Sequence, residues 1–295
     1  MMNAIPRVSP PDLLPAVPVF IRRLHAPSTK QAYERELARW FAWLADNAPL
    51  DNEILPRYVE WLRARNLSAT TISWRAVVVM QFLKDAHRQG VIDRDVTEGY
   101  RPPKGTRGFA PRVLSSGELK RLLRTPDRRS WRGRRDLAIL TLLGIAGLRI
   151  GEVACLRICD VDLQSDRVVL KIRGKGNRIR SIALAGRNAS PIRSWAKVRG
   201  VGQSDVAFFI SKRVEDGEPR GMTIASIDYV VRRYGRVAGI DRLHAHLLRH
   251  CAASNALAGG MNLVAVRDLL GHSSIVTTSR YLHSTSGMAG VVVAG

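Results

Sequence analysis

Cysteine is scarce in this chain of 295 residues: Cys155, Cys159 and Cys251 are all there is. An odd number cannot all pair, and no charged start followed by an apolar core marks a secretion signal, so a reducing cytosol is expected rather than export. Cys155 and Cys159 have helical spacing, yet neither a CxxC pair nor a pair of histidines completes a metal site around them. They read as small buried apolar residues. Long apolar runs are also missing, and no single basic amphipathic helix dominates, which sets a membrane partner aside. Internal repeats and low-complexity tracts are absent. Acidic residues are in short supply: 25 Asp and Glu face 47 Lys and Arg, for a net charge of +22. That excess is far beyond what solubility requires and points to a polyanionic partner. Nucleic acid fits, because neutralising phosphates releases condensed counterions.

What is present is the composition of a folded protein, 45% hydrophobic and 24% charged, with length for two cores. The opening stretch to about Ala26 carries Pro6, Pro10, Pro11, Pro15 and Pro18, which predicts an extended lead with one short helical turn. Ser28 with Gln31 forms a capping-box pattern ahead of Tyr33, Leu37, Trp40, Phe41 and Leu44 at helical spacing. Ile54, Tyr58, Trp61 and Leu62 mark a second helix. A third runs from Ser68 to Gln89, with Ile72, Val79, Phe82 and Leu83 on one stripe and Gly90 as its stop. Residues 1–100 therefore read as a helical bundle. Its surface is strongly basic through Arg35, Arg39, Arg57, Arg63, Arg65, Arg75, Lys84 and Arg88, some of them plain solvated positions and the rest a candidate DNA face.

Residues 101–111 are rich in Pro, Gly and positive charge and read as a basic linker able to lie over DNA. Residues 112–295 read as a second domain. Ser115 to Glu118 marks a helix start, and Arg134 to Ile145 a longer apolar helix ending near Gly147. Arg167 to Leu184 alternates apolar and basic residues around Gly174-Lys175-Gly176-Asn177, the pattern of a β-hairpin. Helical patterns return at Thr223 to Val237, His246 to Leu257 and Asn262 to Leu270. The expected fold class is mainly α with a small antiparallel sheet (α+β).

Exchange of phosphodiesters without a metal would require charge stabilisation at a pentacoordinate phosphorus, a nucleophile that loses a proton and a leaving oxygen that gains one. Arginine suits the first task, since its fixed fork donates parallel hydrogen bonds and stays charged. Arg149, in Gly147-Leu-Arg-Ile-Gly-Glu152, lies in an apolar stretch and needs an anionic partner; a structural ion pair with Glu152 is the alternative. His246 and Arg249 are three apart, which puts them on one helical face, although such a pair also arises by chance. His272 follows a helix stop and could donate to phosphate or cap the helix. Tyr281 lies nine residues further on, and an isolated tyrosine is usually filler. Lys175 is an exposed hairpin-turn lysine, able to give a proton to a leaving oxygen if DNA lies within reach.

Taken in order, GLRIGE, RGKGNR, HLLRH, LGHSS and TTSRY resemble the catalytic domain of the tyrosine recombinases, the superfamily of phage integrases and Xer-type recombinases. The match runs from about Val113 to Tyr281. The resemblance implies that Arg149 and Arg249 clamp the scissile phosphate with His272 as a third contact. It further implies that His246 is the general base or proton relay, Lys175 the general acid and Tyr281 the nucleophile of a 3′-phosphotyrosyl intermediate. Neither metal nor ATP is implied, because the protein link conserves the energy of the broken bond. The implied partners are double-stranded DNA carrying specific recombination sites and further subunits, as a homo-tetramer or a hetero-tetramer with a related recombinase, working through a Holliday junction. The bundle of about Pro18 to Gly99 resembles the SAM-like core-binding domain, and the implied location is the bacterial cytoplasm at the nucleoid.

Three features stand apart from the commonest pattern. Leu247 replaces a polar or acidic residue of many relatives, His244 rivals His246, and His250 reads as a supporting group. No arm-binding domain is expected ahead of the bundle, which favours an Xer-like or transposon-type enzyme over a large phage integrase. The tail Val291 to Gly295 could pack into a neighbouring subunit or fray. A type IB topoisomerase and a catalytically silent DNA-binding relative are the alternatives. The first would relax supercoils without pairing two sites, while the presence of competent residue types at every proposed position argues against the second.

Overall fold

The computed structural model of the chain describes residues 10–46, 49–105, 112–174, 179–200, 206–215 and 218–271. It divides into two compact units, 1–108 and 109–295. The first holds α1 (Pro10–Leu13), α2 (Ala16–Arg23), α3 (Pro27–Leu44), α4 (Ile54–Arg63) and α5 (Ala69–Arg88). Two helices thus occupy a stretch whose prolines predict an extended lead. The prolines are tolerated because they fall in first turns or just before them: Pro15 precedes α2, and Pro18 is its third residue, where a backbone N–H has no intrahelical acceptor to lose. The same effect moves the start of α3. Its N-cap is Ala26 with Pro27 in the first turn, and no side chain caps it, so the Ser28 capping box is not the start signal. For α5 the expectation holds: Ser68 Oγ accepts the Thr71 N–H at 3.2 Å, and Gly90 (φ +69°) follows the last turn.

Phe20, Trp40 and Phe82 meet edge to face in the core of this unit, with Phe82 5.7 Å from Phe20 and 6.0 Å from Trp40 between ring centres. Beside them lies a buried carboxylate, Glu36. It accepts from Tyr58 Oη at 2.6 Å, pairs with Arg39 and has Arg75 Nε 3.5 Å away. Burial, and then the hydrogen bond to Glu36, push the Tyr58 phenol far up from its ordinary value. Arg75 therefore belongs to an internal ion pair and not to a solvated face, and Arg57 is likewise held by Asp51 at 2.9 Å and the Pro49 carbonyl at 2.7 Å. Arg35, Arg39, Arg63, Arg65, Lys84 and Arg88 remain exposed.

The second unit runs α6 (Ser116–Arg124), α7 (Trp131–Gly144), α8 (Ile150–Ala154), a 3-10 turn (Ile158–Asp160), β1 (Val161–Leu163), β2 (Arg167–Arg173), β3 (Ile179–Ala185) and α9 (Gly186–Arg199). It continues with β4 (Ile210–Glu215), β5 (Glu218–Gly221), α10 (Ile224–Val237), α11 (Ala245–Ala258) and α12 (Leu263–Leu270). Side-chain caps from Ser115, Ser130, Thr223 and Asn262 open α6, α7, α10 and α12, each contributing about 1 kcal/mol. From Leu137 to Gly144, α7 is buried on every side and forms the spine of the core. The hairpin pairs β2 with β3 antiparallel, and β1 extends it to a three-stranded sheet in the order β1, β2, β3. Its inward face carries Val168, Leu170 and Ile172 from β2 and Ile182 and Leu184 from β3, all buried.

Two elements depart from expectation. A second small sheet, β4 with β5, pairs where no strand is expected. Helix α9 was also illegible, since Gly186 opens it, Pro191 lies inside it and only Ala189, Ile192 and Trp195 are buried along it. The cysteine expectation is corrected as well. Cys155 and Cys159 are exposed and only Cys251 is buried, because α8 ends at Ala154 and helical spacing does not carry across into the turn that follows. Burial pushes the Cys251 thiol up to about 11. No helix among the described residues is long and apolar enough to cross a membrane.

Candidate active site

Arg149 is the N-cap of α8, reached through Gly147, whose φ of +68° suits a residue without a side chain. A Cβ at Gly147 would also lie 2.8 Å from Leu270 Cδ2, so the turn packs directly against the end of α12. Glu152, in the first turn of α8, accepts the Arg149 backbone N–H on Oε2 at 2.8 Å and the Arg149 guanidinium on Oε1 at 2.9 Å. The two readings of Arg149 are therefore compatible. It has its ion pair, and its side chain is still 42% exposed and able to meet a further anion.

Arg249 comes from the middle of α11 and is the buried member of the pair, with a side chain 2% exposed. It donates to the Gly147 carbonyl at 2.7 Å and to the Leu270 carbonyl at 2.6 Å, and its Nη1 is 3.9 Å from Glu152 Oε2. A third guanidinium joins them. Arg180, on β3, donates Nη1 to Glu152 Oε1 at 2.9 Å and Nη2 to Oε2 at 2.8 Å, while its Nε reaches the Leu269 carbonyl at 2.9 Å. Arg149 Nη2 lies 3.2 Å from the Gly271 carbonyl. Three arginines thus take three consecutive carbonyls at the C-terminus of α12, which the helix itself leaves without partners.

Among the described residues, this cluster sets three guanidinium groups against one carboxylate. Burial alone would raise the Glu152 pKa, but the fork from Arg180 and the Arg149 backbone N–H outweigh it and hold the carboxyl below its usual range. Glu152 therefore stays ionised and fixes the guanidinium groups around it.

His246 lies one turn before Arg249 on the exposed side of α11. Loss of water around the ring, followed by the positive charges of Arg249, His244 and Arg149, lowers its pKa from 6.5 and keeps the imidazole neutral at pH 7. The His250 ring stands edge-on with its centre 4.2 Å away. His244 is the helix N-cap, and its Nδ1 accepts the Leu247 N–H at 3.1 Å, which ties that ring nitrogen to the backbone. Leu247 is buried and faces the core.

Of the six expected site residues, Arg149 and Arg249 meet at Glu152, with His246 within electrostatic reach of both. Lys175, His272 and Tyr281 lie outside the described residues. His272 directly follows Gly271, a left-handed C-cap (φ +64°) with its carbonyl bound by Arg149. The sequence reading missed Arg180. Its alternation in step with Ile182 and Leu184 is visible in the chain, but only the pairing with Ile172 shows that it places a charge on an otherwise apolar inward face. Among the described residues, no group of three or more His, Cys, Asp or Glu is placed to hold a metal ion.

Comparison with known proteins matches residues 112–288 to the phage integrase family and residues 19–90 to the phage integrase N-terminal SAM-like domain. A tyrosine recombinase XerC of Roseiflexus castenholzii is 32% identical over 252 residues, covering 83% of this chain and 76% of the relative. One from Chromohalobacter salexigens is 31% identical over 277 residues and covers 90% of each. Among solved structures, the XerH site-specific recombinase bound to palindromic difH superposes with a TM-score of 0.72 at 20% identity, over 88% of this chain and 77% of that one. A lambda integrase dimer on a COC′ core site gives 0.70 at 14% identity, over 90% and 96%. These two likenesses are of fold.

Proposed function

The chain belongs to the phage integrase family and is a site-specific tyrosine recombinase, and from that premise we propose how its residues carry out strand exchange. The observation that carries the proposal is the convergence of Arg149 and Arg249, from two distant motifs, on one carboxylate that Arg180 also holds, three positive charges to one negative. A phosphodiester seated there meets the exposed fork of Arg149, backed by the buried charge of Arg249. Charge that grows on the nonbridging oxygens as phosphorus becomes pentacoordinate is stabilised by groups already in place, so little reorganisation opposes the reaction.

In this scheme Tyr281 Oη attacks phosphorus, its proton passes to His246, and the bond to the 5′ oxygen breaks as Lys175 gives that oxygen a proton. A 3′-phosphotyrosyl link and a free 5′ hydroxyl result. Attack by a 5′ hydroxyl from the partner duplex reverses each transfer and restores Tyr281. One phosphoester replaces another throughout, which is why the scheme calls for neither ATP nor metal. The lowered His246 pKa supports its role, since only a neutral imidazole can accept the phenolic proton. His272 follows the carbonyl that Arg149 holds, a position that suits a third phosphate contact.

The working form is a tetramer on two synapsed duplexes that exchanges one strand pair at a time through a Holliday junction. The first helical unit is the core-binding domain, 101–111 is the basic linker, and the protein acts in the cytoplasm at the nucleoid. A two-duplex assay on sites selected from a random-sequence library tests this. Recombinant product is expected, and relaxation of supercoils without recombinants would favour the type IB topoisomerase reading.

A further inference from the structure

We propose that Arg180 is a positioning residue for phosphate capture, acting on Arg149 through Glu152 and on the end of α12 through the Leu269 carbonyl. The inference rests on the assignment of Arg149 to the scissile phosphate.

Three of the five N–H donors of Arg180 are committed to protein acceptors, two in a parallel fork to Glu152 and one to Leu269. Its side chain is 14% exposed against 42% for Arg149. Arg180 is therefore turned inward, and its influence on a bound phosphate passes through the groups it holds. Glu152 uses both oxygens twice, once for the Arg180 fork and once for Arg149, through its guanidinium on Oε1 and its backbone N–H on Oε2. Removing the fork leaves Glu152 without its tie to β3 and held, of these two partners, by Arg149 alone, so the carboxylate and the guanidinium can shift together. Gly271 shows how closely the other end is fitted: a Cβ there would lie 3.0 Å from Arg180 Nη1. The strand of the β2–β3 hairpin, the N-cap of α8 and the C-terminus of α12 are thus tied at one guanidinium. That side chain couples strand β3 to the last turn of α12 at Leu269.

Lysine keeps the charge but cannot form a parallel fork, so Arg180→Lys separates geometry from charge. The test measures single-turnover covalent complex formation on a nicked duplex carrying the site this chain selects from a random-sequence library. DNA affinity and the melting temperature of the full chain are measured alongside. Arg180→Lys and Arg180→Ala are expected to slow cleavage by roughly 10- to 100-fold, since displacing a reacting group by about 1 Å can cost up to that much. Duplex affinity should change less than 3-fold for Arg180→Lys. In an Arg149→Ala background, Arg180→Lys should have a smaller further effect than in the wild-type chain, because only its route through the end of α12 remains. Undiminished cleavage by Arg180→Lys, or a full additional loss in the Arg149→Ala background, would overturn the proposal. Normal cleavage by Arg149→Ala alone would instead remove the phosphate assignment on which it rests. If Arg180→Ala does not fold, Arg180→Lys and the double variant decide the matter.

Discussion

Arg249 donates a hydrogen bond to the Gly147 carbonyl at 2.7 Å, joining segments 102 positions apart in the chain. Through this one contact the arginine of the HLLRH segment grips the glycine that turns the chain toward Arg149. The two guanidinium groups differ in consequence: Arg249 is structural and electrostatic at once, whereas Arg149 is held at its base and open at its tip.

That difference predicts two separable phenotypes. Arg149→Ala should slow covalent complex formation by about 100- to 1,000-fold while leaving thermal stability nearly unchanged, since the side chain is 42% exposed. Arg249→Ala should lose cleavage to a similar degree and stability as well. It strands the Gly147 and Leu270 carbonyls, at a cost of about 1–3 kcal/mol for each buried group left unmet. Single-turnover trapping and a melting curve on each variant check both halves, and a fully stable Arg249→Ala chain would contradict the burial argument.

How much of this site could be read from the chain depended on local signals. Gly147 and Glu152 stand beside Arg149 in sequence and Gly271 follows a helical pattern, so the α8 and α12 ends were legible from caps and turns. Arg180 was not, because its importance comes from strand register, which sets a charge among Ile172, Ile182 and Leu184 only once the hairpin is paired. In the first unit, the proline-rich lead misled because proline breaks a helix only where an N–H would have been used. The basic surface was partly misread because Glu36 on α3 reaches Arg75 on α5, a contact that no spacing along the chain announces.

The Glu36 cluster supplies a stability prediction. Glu36→Ala leaves Arg75 beside the core without its anion and Tyr58 Oη without an acceptor, and should destabilise the chain by about 3–5 kcal/mol. Urea denaturation of the full-length protein measures this, and a loss below 1 kcal/mol would mean that the ion pairs behave as surface pairs.

His246 predicts a pH profile. Its folded pKa lies below 6.5, so above 6.5 the imidazole is neutral in folded and unfolded chains alike. As pH falls below 6.5 the unfolded chain gains the proton first. The stability this residue contributes is therefore present above 6.5 and is lost as pH drops to the lowered folded value. Activity should follow the same group: cleavage stays level down to about 6.5 and declines only in more acid solution, and His246→Gln should abolish that acid limb along with most of the rate. A wild-type decline centred above 6.5 would contradict a neutral His246 as the proton acceptor.

The +22 charge predicts steep salt dependence. If the chain covers 6–10 phosphates, duplex affinity should fall by about 1,000-fold or more between 50 and 200 mM salt. Titrations of the selected duplex across that range measure the slope, and an affinity indifferent to salt would contradict the electrostatic account of binding.

Covalent trapping tests the chemistry most directly. With a nicked duplex that lets the cleaved fragment diffuse away, the wild-type chain should accumulate a protein–DNA adduct that survives denaturation. Tyr281→Phe should form none while binding the same duplex with near-normal affinity. An adduct of unchanged yield with Tyr281→Phe would contradict the assignment of the phenolic oxygen as the group that attacks the phosphate.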